Sequence, residues 1–194
     1  MKLTDSTYVK LRDEIFSATY KPNELITERQ IAERFGISKL TAGEVLHRLC
    51  SEGHLTSYPR SGYMVTILSP KEMRQLARVR LQLEKLCIET ICEECSGDEI
   101  RSLRTMIVEQ PLDDISITER NRRFHLKLAE LTHDRFLFTI LQDILGTMSR
   151  VEQPIEHSLM DSWQNEHKHI VDALAERDAS KALEAIERDI GQML

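Results

Sequence analysis

Four polar side chains in the second half of the sequence are of types that bind divalent metals. Asn121 and His125 lie four residues apart on one predicted helix and therefore share a face of that helix. His167 belongs to a later predicted helix, and Asp189 follows it by 22 residues. Two imidazoles, a carboxylate and an amide carbonyl together suit Zn²⁺, Ni²⁺ or Mn²⁺. The spacing does not establish that the four groups meet, because an isolated histidine is more often a surface or core residue than a ligand.

A second set of candidates, suited to nucleic acid, lies in the first 66 residues. A helix that begins after Ser38 would place short polar and basic side chains in its first turn, where a recognition helix meets base edges. Its free backbone N–H groups would suit a phosphate. Cations further along the helix and in the following turn would reach the sugar-phosphate backbone. The predicted DNA contacts are Thr27, Ser38, Lys39, Leu40, Thr41, His47, Arg48, Arg60 and Gly62.

Three helices are predicted to position these contacts. The first carries an apolar face over residues 8–16. Thr27 begins a capping box, which opens a short second helix that ends at Gly36. The third helix begins after Ser38 and ends at Gly53, and its stripe of aliphatic residues predicts a buried face.

A hairpin is predicted to follow the third helix. Its β-prone segments, residues 55–58 and 63–67, are joined by a turn that contains Arg60 and Gly62. Arg60 has the position of a wing residue, and Gly62 would let the turn approach DNA closely. Two helices around a tight turn, followed by a hairpin, are typical of a winged helix-turn-helix. We therefore predict such a domain over residues 1–68.

The remainder of the chain reads as helix only. Ser69, Pro70 and Glu72 mark the boundary, because serine can cap a helix, proline suits its first position and glutamate completes a capping box. Short connections between the helices favour a six-helix antiparallel bundle over residues 69–194 and a fold class that is mainly α. The predicted helices cover residues 70–95, 97–109, 117–132, 134–151, 157–176 and 179–193, with breaks at 96–97, Pro111, 133–134, Pro154 and Asp178.

Composition and charge narrow the functional classes. The chain has 194 residues, of which 41% are apolar and 30% charged, as in folded soluble proteins. Its apolar runs are too short to cross a bilayer, and its first residues lack the apolar core of a signal peptide. The net charge of −6 is uneven: residues 1–66 carry nine Lys and Arg against eight Asp and Glu, and residues 67–194 carry 17 against 24. This balance permits DNA binding by the first domain if a few cations share one surface.

The four cysteines indicate a reducing compartment. Their spacing forms no disulfide framework, so we expect a cytoplasmic protein. Cys92 and Cys95 form a C-x-x-C pair that is compatible with a redox or zinc site, but no second pair accompanies them. Cys87, Ile91 and Cys95 instead fit the buried stripe of a helix.

Residues 25–65, LITERQIAERFGISKLTAGEVLHRLCSEGHLTSYPRSGYMV, resemble the winged-helix domain of the GntR family of bacterial transcription regulators. The chain departs from the family at the start of the third helix. Where the family commonly has Ser-Arg-Thr-Pro-Val-Arg-Glu-Ala-Leu, residues 38–46 read SKLTAGEVL. Lys39 keeps the first cation, whereas Gly43 removes the second. Because an arginine held to guanine discriminates by about 1–3 kcal/mol, we expect an altered operator sequence or weaker binding.

Residues 70–194 are similar to the FCD domain, the helical effector-binding module of the FadR subfamily of GntR regulators. One matching string is NRRFHLKLA at residues 121–129. The other begins with Glu166 and His167 and continues with the family positions Ile170, Ala173, Leu174, Asp178 and Ala182. Many family members hold a divalent metal through an aspartate and three histidines. The resemblance carries these positions to Asn121, His125, His167 and Asp189, so one aspartate has become asparagine and one histidine aspartate.

The family commonly presents this metal to the carboxylate of a small organic acid. Arg122, Arg123 and Arg150 are candidates to pair with such an acid, although a solvated role suits each of them as well. The resemblance thus implies a divalent metal and an organic-acid effector in the second domain.

The resulting interpretation is a regulator of transcription, expected to be a repressor and not an enzyme. It would bind an inverted-repeat operator in double-stranded DNA as a homodimer, because one winged-helix domain reads only a few base pairs. No membrane partner is expected. One alternative is a DNA-binding dimer whose metal site has decayed; another is a metal-dependent hydrolase, although the sequence has no nucleophile elbow, HExxH or phosphate loop.

Overall fold

The computed structural model describes residues 3–17, 19–21, 23–108, 117–150 and 158–191, and the side chains of all of these except 108, 117 and 158–164. The chain forms two compact units that divide between Leu68 and Ser69. Ser149 and Arg150 belong to the first unit. In the part of the chain that is described, no helix combines the length and apolar character needed to span a membrane.

The first unit is a winged helix-turn-helix, which confirms the predicted class. Three helices precede a two-stranded antiparallel sheet, and the apolar face of the first helix packs with the second and third helices into one core that includes Leu11, Ile31 and Leu46. The elements are α1 (Leu3–Phe16), α2 (Glu28–Phe35), α3 (Lys39–Ser51), β1 (Leu55–Tyr58) and β2 (Gly62–Val65).

Local capping explains where α2 and α3 begin and end. Thr27 and Gln30 form the predicted capping box at the start of α2. Gly36 ends α2 in the left-handed conformation, with a φ of 63° that a side chain would disfavour. The Ser38 side chain then accepts a hydrogen bond from the Thr41 N–H and caps α3.

The hairpin is anchored to the segment before α2. Ile26 forms an isolated bridge with Tyr63, and its carbonyl oxygen would lie 2.5 Å from a Cβ at position 62. The close approach of the protein's own backbone therefore requires Gly62, which has a φ of 140°. The approach of this turn to DNA stays a prediction.

A buried histidine follows α3. His54 accepts a hydrogen bond at Nδ1 from the Arg150 guanidinium at 2.9 Å, and its carbonyl oxygen accepts a second one at 3.1 Å. Burial, with a contribution from the Arg150 cation, lowers the pKa of His54 to about 4. His54 is therefore neutral at neutral pH.

The second unit consists of helices, and their predicted order is confirmed. They are α4 (Pro70–Glu94), α5 (Gly97–Val108), α6 (Ile117–Leu131), α7 (Arg135–Met148), α8 (Ser158–Ala175) and α9 (Ala179–Gly191). Ser69 and Glu72 form the predicted capping box of α4, while Asp134 and Asp178 cap α7 and α9. The breaks predicted at Pro111 and Pro154 lie outside the described residues.

One apolar core joins these helices. Cys87 and Ile91 of α4 and Cys95 at its C-cap are buried, as the sequence predicts, and the Cys95 thiol donates a hydrogen bond to the Leu131 carbonyl at 3.0 Å. The guanidinium of Arg177, which precedes α9, donates to the carbonyls of Ile91, Cys92 and Cys95 and so satisfies the end of α4. This packing fixes the helices that carry the polar cluster described next.

Candidate functional site

Three ligand-type side chains converge inside the second unit. His125 on α6, His167 on α8 and Asp189 on α9 are buried, and one ligand atom of each lies within 4.8 Å of the others. His125 Nε2 is 3.1 Å from Asp189 Oδ2, and His167 Nε2 is 3.6 Å from Asp189 Oδ1. Asn121, one helical turn before His125, places its Oδ1 3.2 Å from His125 Nε2. The four groups from three helices therefore face a common point.

A buried pair on α4 supports this cluster from behind. Glu84 Oε2 lies 2.5 Å from His125 Nδ1, and Glu84 Oε1 accepts a hydrogen bond from Arg80 Nε at 2.5 Å. With Nδ1–H donated to Glu84, the Nε2 atom of His125 is directed toward Asn121 and Asp189. Carboxylates that orient a ligating histidine in this way are usual behind metal ions.

An aromatic ring holds the two imidazoles in place. Phe124 stacks on His167 with ring centroids 3.9 Å apart, and it contacts His125 edge-on at 5.3 Å. Since Phe124 is itself buried, both rings have little room to turn.

Burial and the neighbouring charges shift the pKa of each ionisable ligand of the cluster. Burial outweighs the neighbouring carboxylates at His167 and lowers its pKa to about 3, so its imidazole is neutral. At Asp189, burial acts in the opposite direction, but the two histidines and Arg80 hold the pKa at about 2. At His125, burial and Arg80 lower the pKa, yet Glu84 and Asp189 prevail and raise it.

The donor set fits a divalent cation. His167 Nε2 and Asp189 Oδ1 are buried and have no hydrogen-bond partner among the described residues. Buried polar atoms are normally satisfied, and both of these point toward the shared centre. Two imidazole nitrogens, a carboxylate and an amide oxygen provide the four ligands that zinc or another first-row divalent ion takes.

Arg80 and Glu84 were missed in the sequence. They sit at i and i+4 within the stripe of α4 that also contains Ala77, Cys87 and Ile88, all buried. Two charged residues inside an apolar helical stripe are the signal that could have found them.

The arginines suggested for an acid ligand have other partners. Arg122 and Arg123 both donate to Glu119, at 2.7 and 2.8 Å. Arg150 belongs to the first unit and bonds His54. The cation beside the cluster is Arg80, whose Nη2 lies 3.9 Å from Asp189 Oδ2.

Most of the predicted DNA contacts share one exposed surface of the first unit. A cavity of about 330 Å³ lies between the start of α2, the start of α3 and the hairpin, and Thr27, Lys39, Arg60 and Gly62 line it. Ser38 and Thr41 lie at the adjoining N-terminus of α3, and the exposed fraction of Leu40 is 76%. We name this the α3–hairpin surface.

Three further polar side chains of the first unit have different surroundings. Arg29, which the sequence analysis missed, lines the same cavity and pairs with Glu33 at 2.8 Å. His47 is exposed further along α3. Arg48 lies over the Tyr8 ring at 3.6 Å and pairs with Glu52, so it is held by contacts within the unit.

Comparison with known families accounts for both units. Residues 3–65 match "Bacterial regulatory proteins, gntR family", and residues 75–192 match the FCD domain. The chain belongs to the GntR family. The combination of a GntR winged helix with an FCD domain agrees with the FadR-like subfamily, and this GntR-family protein is a DNA-binding transcriptional regulator, not an enzyme.

Individual relatives agree with this assignment. The regulator is 30% identical over 143 residues to the uncharacterized HTH-type transcriptional regulator YdhC of Bacillus subtilis, covering 71% of the chain but 64% of YdhC. It is 23% identical over 197 residues to the HTH-type transcriptional repressor RspR of Escherichia coli, covering 96% and 83% of the two chains. The solved structure of E. coli McbR/YncC shares the fold, with a TM-score of 0.80 at 16% identity over 99% and 95% of the two chains.

Proposed function

We propose that this regulator is a repressor whose affinity for DNA depends on a ligand in its helical domain. In this proposal residues 1–68 bind an inverted-repeat operator, and residues 69–194 form a homodimer and hold a divalent metal, a small organic acid or both. The observation that supports it most is the convergence of His125, His167 and Asp189 on one buried point. A regulator of bacterial promoters works beside the chromosome, so we also propose a cytoplasmic location.

The α3–hairpin surface supports the DNA-binding role. Lys39 and Arg60 place two cations beside the exposed N-terminus of α3, and Leu40 offers an apolar side chain for a thymine methyl group. Repression follows if the bound dimer excludes polymerase from a promoter, and the related RspR is named as a repressor.

The polar cluster supports the effector role. His125, His167, Asp189 and, more weakly, Asn121 would hold the cation, since an amide oxygen is a poor ligand for zinc or nickel. A bound divalent ion offers remaining coordination positions to the carboxylate of a small organic acid. Arg80 supplies a second positive charge next to those positions. Because the ligands come from α6, α8 and α9, binding would change how firmly these helices are tied together.

Exposed apolar residues on α4 and α7 support the homodimer. Val79 and Leu86 on α4 and Phe136 and Ile140 on α7 are about half exposed or more, in a unit whose other large aliphatic residues are mostly buried. Exposed faces of this kind commonly pair with another chain.

The charges on α4 favour a second copy of the same helix. Lys71, Arg74 and Arg78 are exposed in its first half, and Glu89 and Glu93 in its second half. Two copies related by a two-fold axis and running antiparallel would place opposite charges together on either side of Val79 and Leu86.

A decayed metal site is the second candidate, and the position of Arg80 favours it. Arg80 lies 3.9 Å from the Asp189 carboxylate, and His125 lies between the Glu84 and Asp189 carboxylates. These contacts already compensate the buried negative charges. In this reading the helical domain serves only for dimerisation.

One experiment separates the two candidates. Protein purified without chelator is analysed for bound metals, then dialysed against EDTA and titrated with Zn²⁺, Ni²⁺ and Mn²⁺ by calorimetry. Operator affinity is measured in each state. About one metal per chain together with a change in operator affinity supports the effector role, whereas no binding of any of the three ions supports the decayed site.

A further inference from the structure

A carboxylate lies within the α3–hairpin surface, next to the first cation of α3. Glu28 Oε2 is 3.7 Å from Lys39 Nζ, and both side chains line the same cavity as Arg60. The Glu28 side chain is 36% exposed and that of Lys39 is 74% exposed. A carboxylate in this position is unexpected on a surface that binds phosphates, since it repels them.

Gly43 provides the space for this carboxylate against α3. A Cβ atom at position 43 would lie 3.3 Å from Glu28 Oε1, closer than an ordinary van der Waals contact. Lys39 and Gly43 are four residues apart on α3 and therefore share a face. A larger residue at position 43 would push the Glu28 carboxylate away from Lys39.

Tyr63 of β2 lines the same cavity as the carboxylate. Burial together with the Glu28 charge raises the pKa of Tyr63. The carboxylate therefore lies between the start of α2, which carries it, the start of α3 and the hairpin.

The pair of Glu28 and Lys39 presents an acceptor beside a donor. In the major groove a G·C pair presents the reverse pattern, with the guanine O6 acceptor next to the cytosine N4 donor, about 2.9 Å apart. Lysine is a usual partner of guanine O6 and N7, and glutamate accepts from cytosine N4. We propose that Glu28 is a specificity-determining residue that, together with Lys39 and in the space left by Gly43, reads one G·C pair in each operator half-site.

The proposal rests on DNA binding by the first unit, and one selection experiment tests both. The full-length protein and its variants select from a pool of random duplex DNA, and the enriched sequences are read. Glu28→Gln keeps the shape but removes the charge, and an amide prefers adenine to cytosine. Gly43→Leu displaces the carboxylate without changing any charge. Glu24→Gln is the matched control, because Glu24 is also an exposed glutamate of the first unit but lies outside the cavity.

The wild type and Glu24→Gln should enrich the same inverted repeat. That repeat should contain one G·C pair in each half-site that Glu28→Gln and Gly43→Leu no longer select. On the wild-type site, Glu28→Gln should lower the discrimination between G·C and A·T at that position by about tenfold. Circular dichroism of each variant controls for loss of the fold.

Three results would overturn the inference. If Glu28→Gln enriches the same repeat as the wild type, or if it binds every duplex more tightly by the same factor, the carboxylate does not read a base. If the wild-type repeat has A·T at every position of the half-site, the assigned base pair is wrong. If the wild type enriches no repeat, the proposed operator binding fails together with the inference.

Discussion

His125 Nε2 lies 3.1 Å from Asp189 Oδ2, in a place where both side chains are buried. The contact joins α6 to α9, and Glu84 of α4 fixes the other nitrogen of the same ring. Three helices are thus linked through one imidazole. A ligand that binds between His125 and Asp189 must change this link, which is the physical basis for a response of the helical domain.

Metal binding should depend on the histidines more than on Asn121. Neutral imidazole is a good ligand for zinc and nickel, whereas an amide oxygen is a poor one. His125→Ala and His167→Ala should each abolish stoichiometric metal binding, and Asn121→Ala should only reduce the affinity. The measurement is metal content by mass spectrometry after dialysis at a fixed free metal concentration.

His169→Ala is the matched control, because His169 lies on α8 near His167 but is exposed. It should bind metal as the wild type does. Equal stoichiometry in the wild type and in a His125→Ala/His167→Ala double variant would refute the assignment.

Replacing Asn121 with aspartate should strengthen metal binding and lower the stability of the metal-free protein. Asn121→Asp adds a negative charge beside Asp189, which attracts a divalent ion and repels the existing carboxylate in its absence. We expect roughly tenfold tighter binding, equivalent to about 1.4 kcal/mol, and a lower melting temperature in EDTA. Differential scanning calorimetry with and without Zn²⁺ checks both effects. A variant that is stabilised in EDTA and gains no affinity would contradict the idea that Asn121 faces the ion.

The helices were predictable from the sequence because the signals that define them are local. Thr27, Gly36, Ser38 and Ser69 cap or end helices through contacts within a few residues, and each was identified. The second strand was predicted over residues 63–67 but is Gly62–Val65. It starts at Gly62, which pairs with Tyr58 across the hairpin, and Tyr63 also bridges to Ile26, which is distant in the sequence.

The candidate site was predictable only in part, for the same reason. The family resemblance supplied the four ligand positions, but Arg80 and Glu84 act through contacts with α6 and α9 that no sequence spacing reveals. The same holds for Glu28, whose neighbours Lys39 and Tyr63 come from α3 and β2.

The stability of the first unit should fall in mild acid because of His54. Its pKa is about 4 in the folded protein and near the ordinary 6.5 when unfolded, so between these values the unfolded chain binds the extra proton. Stability therefore rises with pH across this window, and lowering the pH to 5 should cost about 2 kcal/mol. His54→Gln keeps an acceptor for Arg150 but cannot titrate, so it should lose this part of the pH dependence.

Urea unfolding of the wild type and His54→Gln at pH 7 and pH 5 measures the difference. His47→Gln, at an exposed position of α3, controls for removal of a histidine as such. Identical pH dependence in the wild type and His54→Gln would show that His54 is not the titrating group.

DNA binding should be strongly dependent on salt and on two cations of the α3–hairpin surface. Phosphate contacts release counterions, so the affinity falls as salt rises, and each lost contact reduces the logarithmic slope by about 0.9. Arg60→Ala should reduce that slope, and Lys39→Ala should weaken binding, while both variants keep the wild-type melting temperature. Lys10→Ala, an exposed lysine of α1, should change neither. Fluorescence anisotropy at several salt concentrations tests this, and salt-independent binding or tight binding by isolated monomeric first domains would argue against the interpretation.

The segment between the two domains should transmit the effector signal. An effector can shift DNA affinity only if it binds the two arrangements of the DNA-binding domains unequally, and such couplings are typically about 1–3 kcal/mol. Residues 66–69 connect β2 to α4, and the β-branched Thr66 and Ile67 together with Pro70 at the start of α4 make a stiff connection. Replacing residues 67–70 with Gly-Gly-Ser-Gly keeps Ser69 as the cap of α4 but removes the stiffness.

The linker variant should still bind both metal and operator, but its operator affinity should no longer respond to the effector. The measurement is operator affinity with and without saturating Zn²⁺, or Zn²⁺ together with a panel of small organic acids, in the wild type and the variant. The wild type should show a change of about 5–150-fold and the variant almost none. A response of unchanged size in the variant would mean that the signal travels by another route, such as the dimer interface, because flexible glycines cannot transmit a tilt of α4 to β2.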